Sequence, residues 1–247
     1  MITIIFIFIT GIVASFVGSV AAGSGIIAIS ALFFLGIPPQ IALGTSNFAD
    51  IGSKIGNIFR FAKHNNLGVL KKDVFILTCI SVPATAVGSL IIVSLDSNII
   101  SKLIGIVLVI LLPIMFAKRD FGVIPNRSIG KRRIISHVAY FFSQTWSGFF
   151  SPGSGFIDLY VRTRGYGFTI LQGKAVTRIP LLLSSITSVV IFALSGFIHY
   201  QHAIAMFLGM LIGGYVGTAF AIKKGDAWLK PLLGIILLGT AVKLLLF

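Results

Sequence analysis

The stretch "VGSVAAGSGII" at residues 17–27 places three glycines and two serines inside an apolar run that extends from Ile2 to Leu35. A second stretch, "SGFFSPGSGFI" at 147–157, matches the first at an offset of 130 residues. The matched pairs are Gly18 and Gly148, Gly23 and Gly153, Ser24 and Ser154, Gly25 and Gly155, and Ile27 and Ile157. Two such clusters in register predict a duplicated structural element.

The composition predicts a polytopic helical membrane protein. Of the 247 residues, 56% are hydrophobic and only 11% are charged, and glutamate is absent. A soluble domain carries about a quarter of its residues as charged side chains. Apolar runs of about 18 residues or more, long enough to cross a bilayer, recur along the chain. We therefore expect a multi-pass protein of the plasma membrane, surrounded by lipid.

The net charge of +14 does not indicate a nucleic-acid partner. The basic residues cluster in short loops between apolar runs, as membrane orientation predicts. The single cysteine, Cys79, lies in an apolar run and cannot form an internal disulfide.

Further matches extend the duplication to both halves of the chain. "TAVGSLI" at 85–91 resembles "GYVGTAF" at 214–220, and "KLIGIVLVILL" at 102–112 resembles "PLLGIILLGTA" at 231–241. The predicted units are a first transmembrane repeat at 1–117, a basic cytoplasmic linker at 118–137 and a second transmembrane repeat at 138–247.

The distribution of basic residues favours inverted repeats. With the linker inside, inversion also places the loop residues Arg162 and Arg164 inside, together with a predicted turn that holds Lys223, Lys224 and Lys230. Inversion needs an odd number of crossings per repeat. We therefore expect a re-entrant helical hairpin and three transmembrane helices in each repeat, with both termini outside. The alternative is that residues 2–35 form one long kinked helix.

The glycine clusters predict an anion site. A helix that begins at Gly23 and Ser24 presents free N–H groups and the positive end of its dipole. Paired half-helix N-termini near the bilayer midplane bind anionic substrates in other transporters. "GSGIIA" at 23–28 also fits a dinucleotide-binding pattern, but that pattern needs a preceding strand, which the apolar helical run excludes.

Polar residues on the second predicted helix, at 39–62, share one face. Ser46, Asp50, Lys54 and Asn57 follow the helical period. Asp50 and Lys54 either neutralise each other at i, i+4 or take part in transport, with Asp50 as a candidate proton carrier.

The second repeat carries basic residues at the corresponding place. Gly173 matches Gly44, so Lys174 replaces Thr45, and Arg178 follows one helical turn later. Two like charges at this spacing indicate an anion between or near them. The alternative is that Arg178 pairs with an acidic neighbour such as Asp158.

The stretch "LGIPPQIALGTSNF" at 35–48, followed by a basic loop and set in two homologous halves, resembles the sulfite exporter TauE/SafE family of membrane permeases. The resemblance covers essentially the whole chain. It implies transport of a small sulfur-containing anion such as sulfite, a sulfonate or a related oxyanion.

The sequence thus predicts a secondary transporter that works by alternating access, rather than an enzyme, with no cofactor or metal and with a proton or sodium as coupling ion. The competing functions are an anion channel and a non-transporting membrane scaffold or assembly factor. The sequence is compatible with a homo-oligomer and does not give the oligomeric state. The predicted substrate-binding residues are Gly23, Ser24, Gly25, Thr45, Ser46, Asn47, Gly153, Ser154, Gly155 and Lys174; Asp50, Lys54 and Arg178 are candidate coupling or charge-pair residues.

Overall fold

The computed structural model describes residues 2–20, 24–62, 71–96, 99–100, 130–150 and 154–246, except for the side chains of 156 and 225–246. Over these ranges the regular structure is entirely helical. The helices are α1 (Ile2–Val20), α2 (Ser24–Phe34), α3 (Pro39–Ala62), α4 (Lys71–Val93), α5 (Lys131–Phe149), α6 (Ser154–Tyr160), a π-helix (Val161–Gly165), α7 (Ile170–Leu194) and α8 (Tyr200–Leu246).

Within the described residues, four helical segments are long and apolar enough to cross a bilayer: α1, α4, α7 and the Tyr200–Lys224 part of α8. Large apolar side chains on their outer faces are exposed, for example Phe75 at 69% and Leu194 at 85%. Such exposure is expected when lipid, rather than water, covers the surface. The prediction of an all-helical, multi-pass membrane protein is confirmed.

Residues 2–35 form two helices in contact. A Cβ added to Gly18 would lie 2.5 Å from the Cβ of Ser24, the first residue of α2. In an uninterrupted helix these positions would be about 9 Å apart along the axis. The glycine-rich stretch therefore brings the start of α2 against the end of α1. The re-entry of this pair into the membrane stays a prediction.

The turn between α2 and α3 follows directly from its sequence. Gly36 adopts a positive φ of 73°, and its N–H bonds to the carbonyl of Phe33 at 2.9 Å, so it closes the end of α2. Pro39 is the first residue of α3, where a missing N–H costs nothing. The predicted start of this helix is confirmed.

The two halves pack across each other. α1 lies along α8, while α5 lies along α4, and α3 and α7 contact each other between these pairs. Glycines allow the close approaches: a Cβ on Gly88 of α4 would lie 2.0 Å from the carbonyl oxygen of Thr145 in α5. On the other side, a Cβ on Gly217 of α8 would lie 2.7 Å from the carbonyl oxygen of Phe16 in α1.

Two sequence predictions about the loops are wrong. The turn expected at 223–230 is helical, because α8 continues from Tyr200 to Leu246. A lone Gly225 disfavours a helix by only about 1 kcal/mol, which does not suffice to end it. Arg162, expected in a cytoplasmic loop, is buried inside the protein. The predicted helix at 99–117 and basic loop at 63–72 lie almost wholly outside the described residues.

Candidate functional site

A cavity of about 160 Å³ lies between the two halves of the protein. The ends of α1 and α5, the starts of α2 and α6, and the facing sides of α3, α4 and α7 all contribute to its wall. The wall is rich in small and hydroxyl-bearing side chains. It therefore offers many short polar groups within a membrane protein, where irregular backbone is tolerated if it lines a cavity.

The structure brings together most of the residues that the sequence singles out. Those that line the cavity are Ser24, Gly25, Ser46, Asn47, Asp50, Lys54, Ser154, Gly155, Lys174 and Arg178. Gly23 and Gly153 lie outside the described residues. Whether the cavity-lining residues bind a substrate stays a prediction.

Thr45 does not line the cavity. It is fully buried, and its hydroxyl accepts a hydrogen bond of 3.0 Å from the backbone N–H of His199. Consecutive helical positions point about 100° apart. Ser46 and Asn47 both line the cavity, so Thr45, about 200° around the helix from Asn47, faces another element. Thr45 thus joins α3 to the turn before α8.

The polar face of α3 points into the cavity. Ser46, Asp50, Lys54 and Asn57 all line it, and the Lys54 ammonium donates to Oδ2 of Asp50. The other carboxylate oxygen of Asp50, Oδ1, is buried and has no hydrogen-bond partner among the described residues. The charge pair considered from the sequence therefore forms, and it forms in the cavity wall.

Asn57 joins three helices beneath this face. Its Oδ1 accepts from the hydroxyls of Ser19 in α1, at 2.8 Å, and Thr218 in α8, at 2.7 Å. Nearby, Ser15 donates to Ser53 at 2.8 Å. The sequence placed Asn57 on the correct face but gave no sign of these partners, which come from distant parts of the chain.

A buried ion pair that the sequence did not predict closes another part of the wall. Arg162 Nη2 lies 2.7 Å from Asp158 Oδ2, and both side chains are nearly inaccessible, at 7% and 6%. Arg162 also donates to Thr177 Oγ1 at 2.6 Å, and Gln144 donates to Asp158 Oδ1 at 3.1 Å. Asp158 therefore pairs with Arg162, and the suggested pairing with Arg178 is wrong. The only sequence signal was the i, i+4 spacing.

The two basic residues of α7 differ in their surroundings. The Lys174 ammonium donates to the carbonyl oxygens of Ser19 and Val20, at the end of α1. Arg178, one turn further along, forms no ion pair or hydrogen bond with the described part of the chain. Of the charged side chains that the described residues contribute to the cavity wall, four are basic and two are acidic, a formal sum of +2.

Hydroxyl groups dominate the wall formed by α4 and α7. Ser89 donates to Ser188 at 2.8 Å, and Thr85 and Ser185 line the cavity nearby. The buried hydroxyl of Ser184 has no partner in the described ranges. The same ranges contain no group of three or more histidine, cysteine or acidic side chains that could hold a metal ion.

Comparison with known proteins gives the family. The model of the sulfite exporter TauE/SafE family matches residues 7–244, nearly the whole chain. The chain belongs to this family. The resemblance seen in the glycine clusters and the proline turn is confirmed, and the cavity described above is thus that of a TauE/SafE protein.

Curated relatives of this TauE/SafE protein are named as probable membrane transporters. One from Haemophilus influenzae is 26% identical over 227 residues, which cover 92% of this chain and 88% of the relative. Another, ORF9 of Sinorhizobium sp, is 24% identical over 240 residues, covering 97% and 91% respectively. YfcA of Escherichia coli K12 is 20% identical over 239 residues, covering 97% and 88%. No solved structure matches the chain. The protein is a multi-pass cell-membrane protein of a transporter family.

Proposed function

We propose that this protein is a secondary transporter for a small sulfur-containing anion, such as sulfite, a sulfonate or a related oxyanion. The observation that carries the proposal is the cavity between the halves, whose wall is polar and, over the part of the chain that the structure describes, has a formal charge of +2. Charged side chains at membrane depth are costly and mark substrate or ion pathways. A net positive wall favours an anionic substrate.

The starts of α2 and α6 support an anion at this position. Ser24 and Ser154, the first residues of these helices, both line the cavity. Helix N-termini present unpaired N–H groups and a partial positive charge. The backbone at Gly25 and Gly155 adds no side chain that would keep the anion away.

The packing supports alternating access between two inverted repeats. Each repeat contributes its first helix to the other repeat, α1 to α8 and α5 to α4, with the cavity at their interface. Rocking of one repeat against the other would open this interface to one side of the membrane and then to the other. A proton or sodium gradient is the proposed energy source, with Asp50 as the proton-carrier candidate.

Transport assays test the proposal. The purified protein is reconstituted into liposomes, and uptake of radiolabelled sulfite, sulfate and methanesulfonate is measured with and without a proton or sodium gradient. A carrier shows saturable uptake, and labelled anion accumulates against an internal pool of unlabelled anion. Flux that rises linearly without such counterflow indicates a channel. Uptake equal to that of protein-free liposomes for every anion contradicts transport of this class and favours a scaffold.

A further inference from the structure

Four basic side chains from the described helices line the cavity, and three of them already have partners. Lys54 is paired with Asp50, and Arg162 is paired with Asp158. Lys174 donates to two backbone carbonyls at the end of α1. Arg178 is half-buried, and in the described part of the chain nothing pairs with its guanidinium.

An unpaired guanidinium in this position has a physical cost. Removing a charge from water without a partner is unfavourable, and membrane proteins usually offset it with a counter-charge or a water-filled cavity. The side chain of Arg178 lines the cavity itself. A negatively charged ligand that enters the cavity would therefore offset the desolvation free energy of the Arg178 guanidinium.

Lys174, unlike Arg178, stabilises the end of another helix. The last carbonyls of a helix have no partner within that helix and carry its partial negative charge. The ammonium of Lys174 satisfies the carbonyls of Ser19 and Val20 across 155 and 154 residues of chain. Lys174 thus holds the end of α1, next to the glycine-rich stretch, against α7.

We propose that Arg178 is the principal binding residue for the anion's charge, and that Lys174 stabilises the end of α1 instead. This inference rests on the proposed function. A planar guanidinium binds two oxygens of one oxyanion at once, which suits sulfite and sulfonate groups better than a halide. Ser46 and Ser185 line the same cavity, and their hydroxyls form no hydrogen bond within the described ranges. They are available to an oxyanion.

The size of the cavity narrows the substrate class further. A cavity of about 160 Å³ is close to one of about 150 Å³ that holds benzene. A ligand of about six non-hydrogen atoms, the size of benzene, fits a space of this volume. Inorganic sulfur oxyanions and the shortest alkyl sulfonates are of this size.

Binding measurements on matched variants test the assignment. Arg178→Gln and Lys174→Gln each replace one charge on α7 with the same neutral group. Isothermal titration calorimetry on the purified proteins uses sulfite, sulfate and methanesulfonate. We expect Arg178→Gln to weaken binding of the anion that binds wild type by roughly ten- to a hundredfold, from the loss of charge-assisted hydrogen bonds. Lys174→Gln should weaken it much less.

Melting curves of the ligand-free proteins supply a second readout. Arg178→Gln removes an uncompensated charge, so its melting temperature should equal or exceed that of wild type. Lys174→Gln leaves the carbonyls of α1 without their donor, so its melting temperature should fall. Arg178→Lys keeps the charge and loses the planar fork; it should fold and bind with intermediate affinity.

The outcomes separate the two hypotheses. If Arg178→Gln binds the anion as tightly as wild type does, Arg178 is not the binding residue. The same holds if Arg178→Gln, Arg178→Lys and wild type all bind with equal affinity. Either result overturns the role of Arg178 and leaves the proposed function standing. An equal loss of affinity in Lys174→Gln with normal melting also overturns it, because Lys174 then shares the charge. If the wild-type protein binds none of the three anions, the proposed substrate class fails together with this inference.

Discussion

Single residues in the cavity wall divide into those that hold the helices and those that face the open space. Asp158 and Arg162 belong to the first group, because their charges meet each other and are further bound by Gln144 and Thr177. A buried pair of this kind adds little net stability, but breaking it leaves one charge without a partner. Its contribution is therefore measurable only when one member is removed.

Asp158→Asn should destabilise the protein strongly. The remaining Arg162 charge would be buried without its partner, which costs about 3–5 kcal/mol. The double variant Asp158→Asn/Arg162→Gln should recover much of this loss, since neither charge remains. Thermal unfolding in detergent checks both. A double variant that is less stable than Asp158→Asn would contradict the ion-pair interpretation.

Thr45→Val should lower the free energy of unfolding by about 1 kcal/mol, the usual contribution of one hydrogen bond, because the N–H of His199 loses its acceptor. Anion affinity should not change, since Thr45 is outside the cavity wall. Thr187→Val is the matched control: this exposed hydroxyl donates to the carbonyl of Leu183 in its own helix and to no other described residue. If Thr45→Val instead binds the anion more weakly and is as stable as wild type, Thr45 belongs to the anion-binding site.

At the scale of elements, glycine positions set how closely the helices approach. The α4–α5 contact depends on Gly88 and Gly148: a Cβ on Gly148 would lie 2.2 Å from the carbonyl oxygen of Thr85. A backbone atom cannot move away as a flexible side chain can. The two helices must therefore separate to admit a methyl group.

Gly88→Ala should destabilise the α4–α5 pair by about 1–3 kcal/mol, the usual cost of overpacking. Its added Cβ would approach the oxygen of Thr145 to 2.0 Å. The neighbouring Val87→Ala, on the exposed face of the same helix, should have little effect. Unfolding midpoints of the two variants compare them directly. Equal midpoints would show that α4 and α5 can move apart without cost.

For the whole molecule, orientation in the membrane follows from charge. The basic linker is expected on the cytoplasmic side and both termini outside. Thr3 and Lys131 report on the two sides because both are exposed in the structure. Cys79 is also exposed, so it must be removed before either position is labelled.

In a Cys79→Ser background, Thr3→Cys should react with a membrane-impermeant thiol reagent in intact cells. Lys131→Cys should react only after the membrane is permeabilised, which also shows that the site is accessible. Labelling of Lys131→Cys, but not of Thr3→Cys, in intact cells would reverse the orientation. Labelling of neither or both in intact cells would contradict a linker and N-terminus on opposite sides.

Properties that depend on composition and local period could be predicted from the sequence alone. The low charge content indicated a membrane protein, Pro39 marked the start of α3, and the helical period placed Ser46, Asp50 and Lys54 on one face. The paired glycine clusters and the proline turn indicated the family, which the match to residues 7–244 confirmed. These inferences succeed because a helix repeats every 3.6 residues and a bilayer selects apolar runs.

Which polar groups contact each other could be read only from the folded structure. Lys174 and Arg178 look equivalent along α7, yet one contacts carbonyls 155 residues away and the other meets no partner within the described ranges. The sequence predicted a loop position for Arg162, whereas in the structure it is buried and pairs with Asp158. The period of a helix gives the direction in which a side chain points. What it meets there depends on how distant helices pack, and that packing is set by close glycine contacts between the two halves.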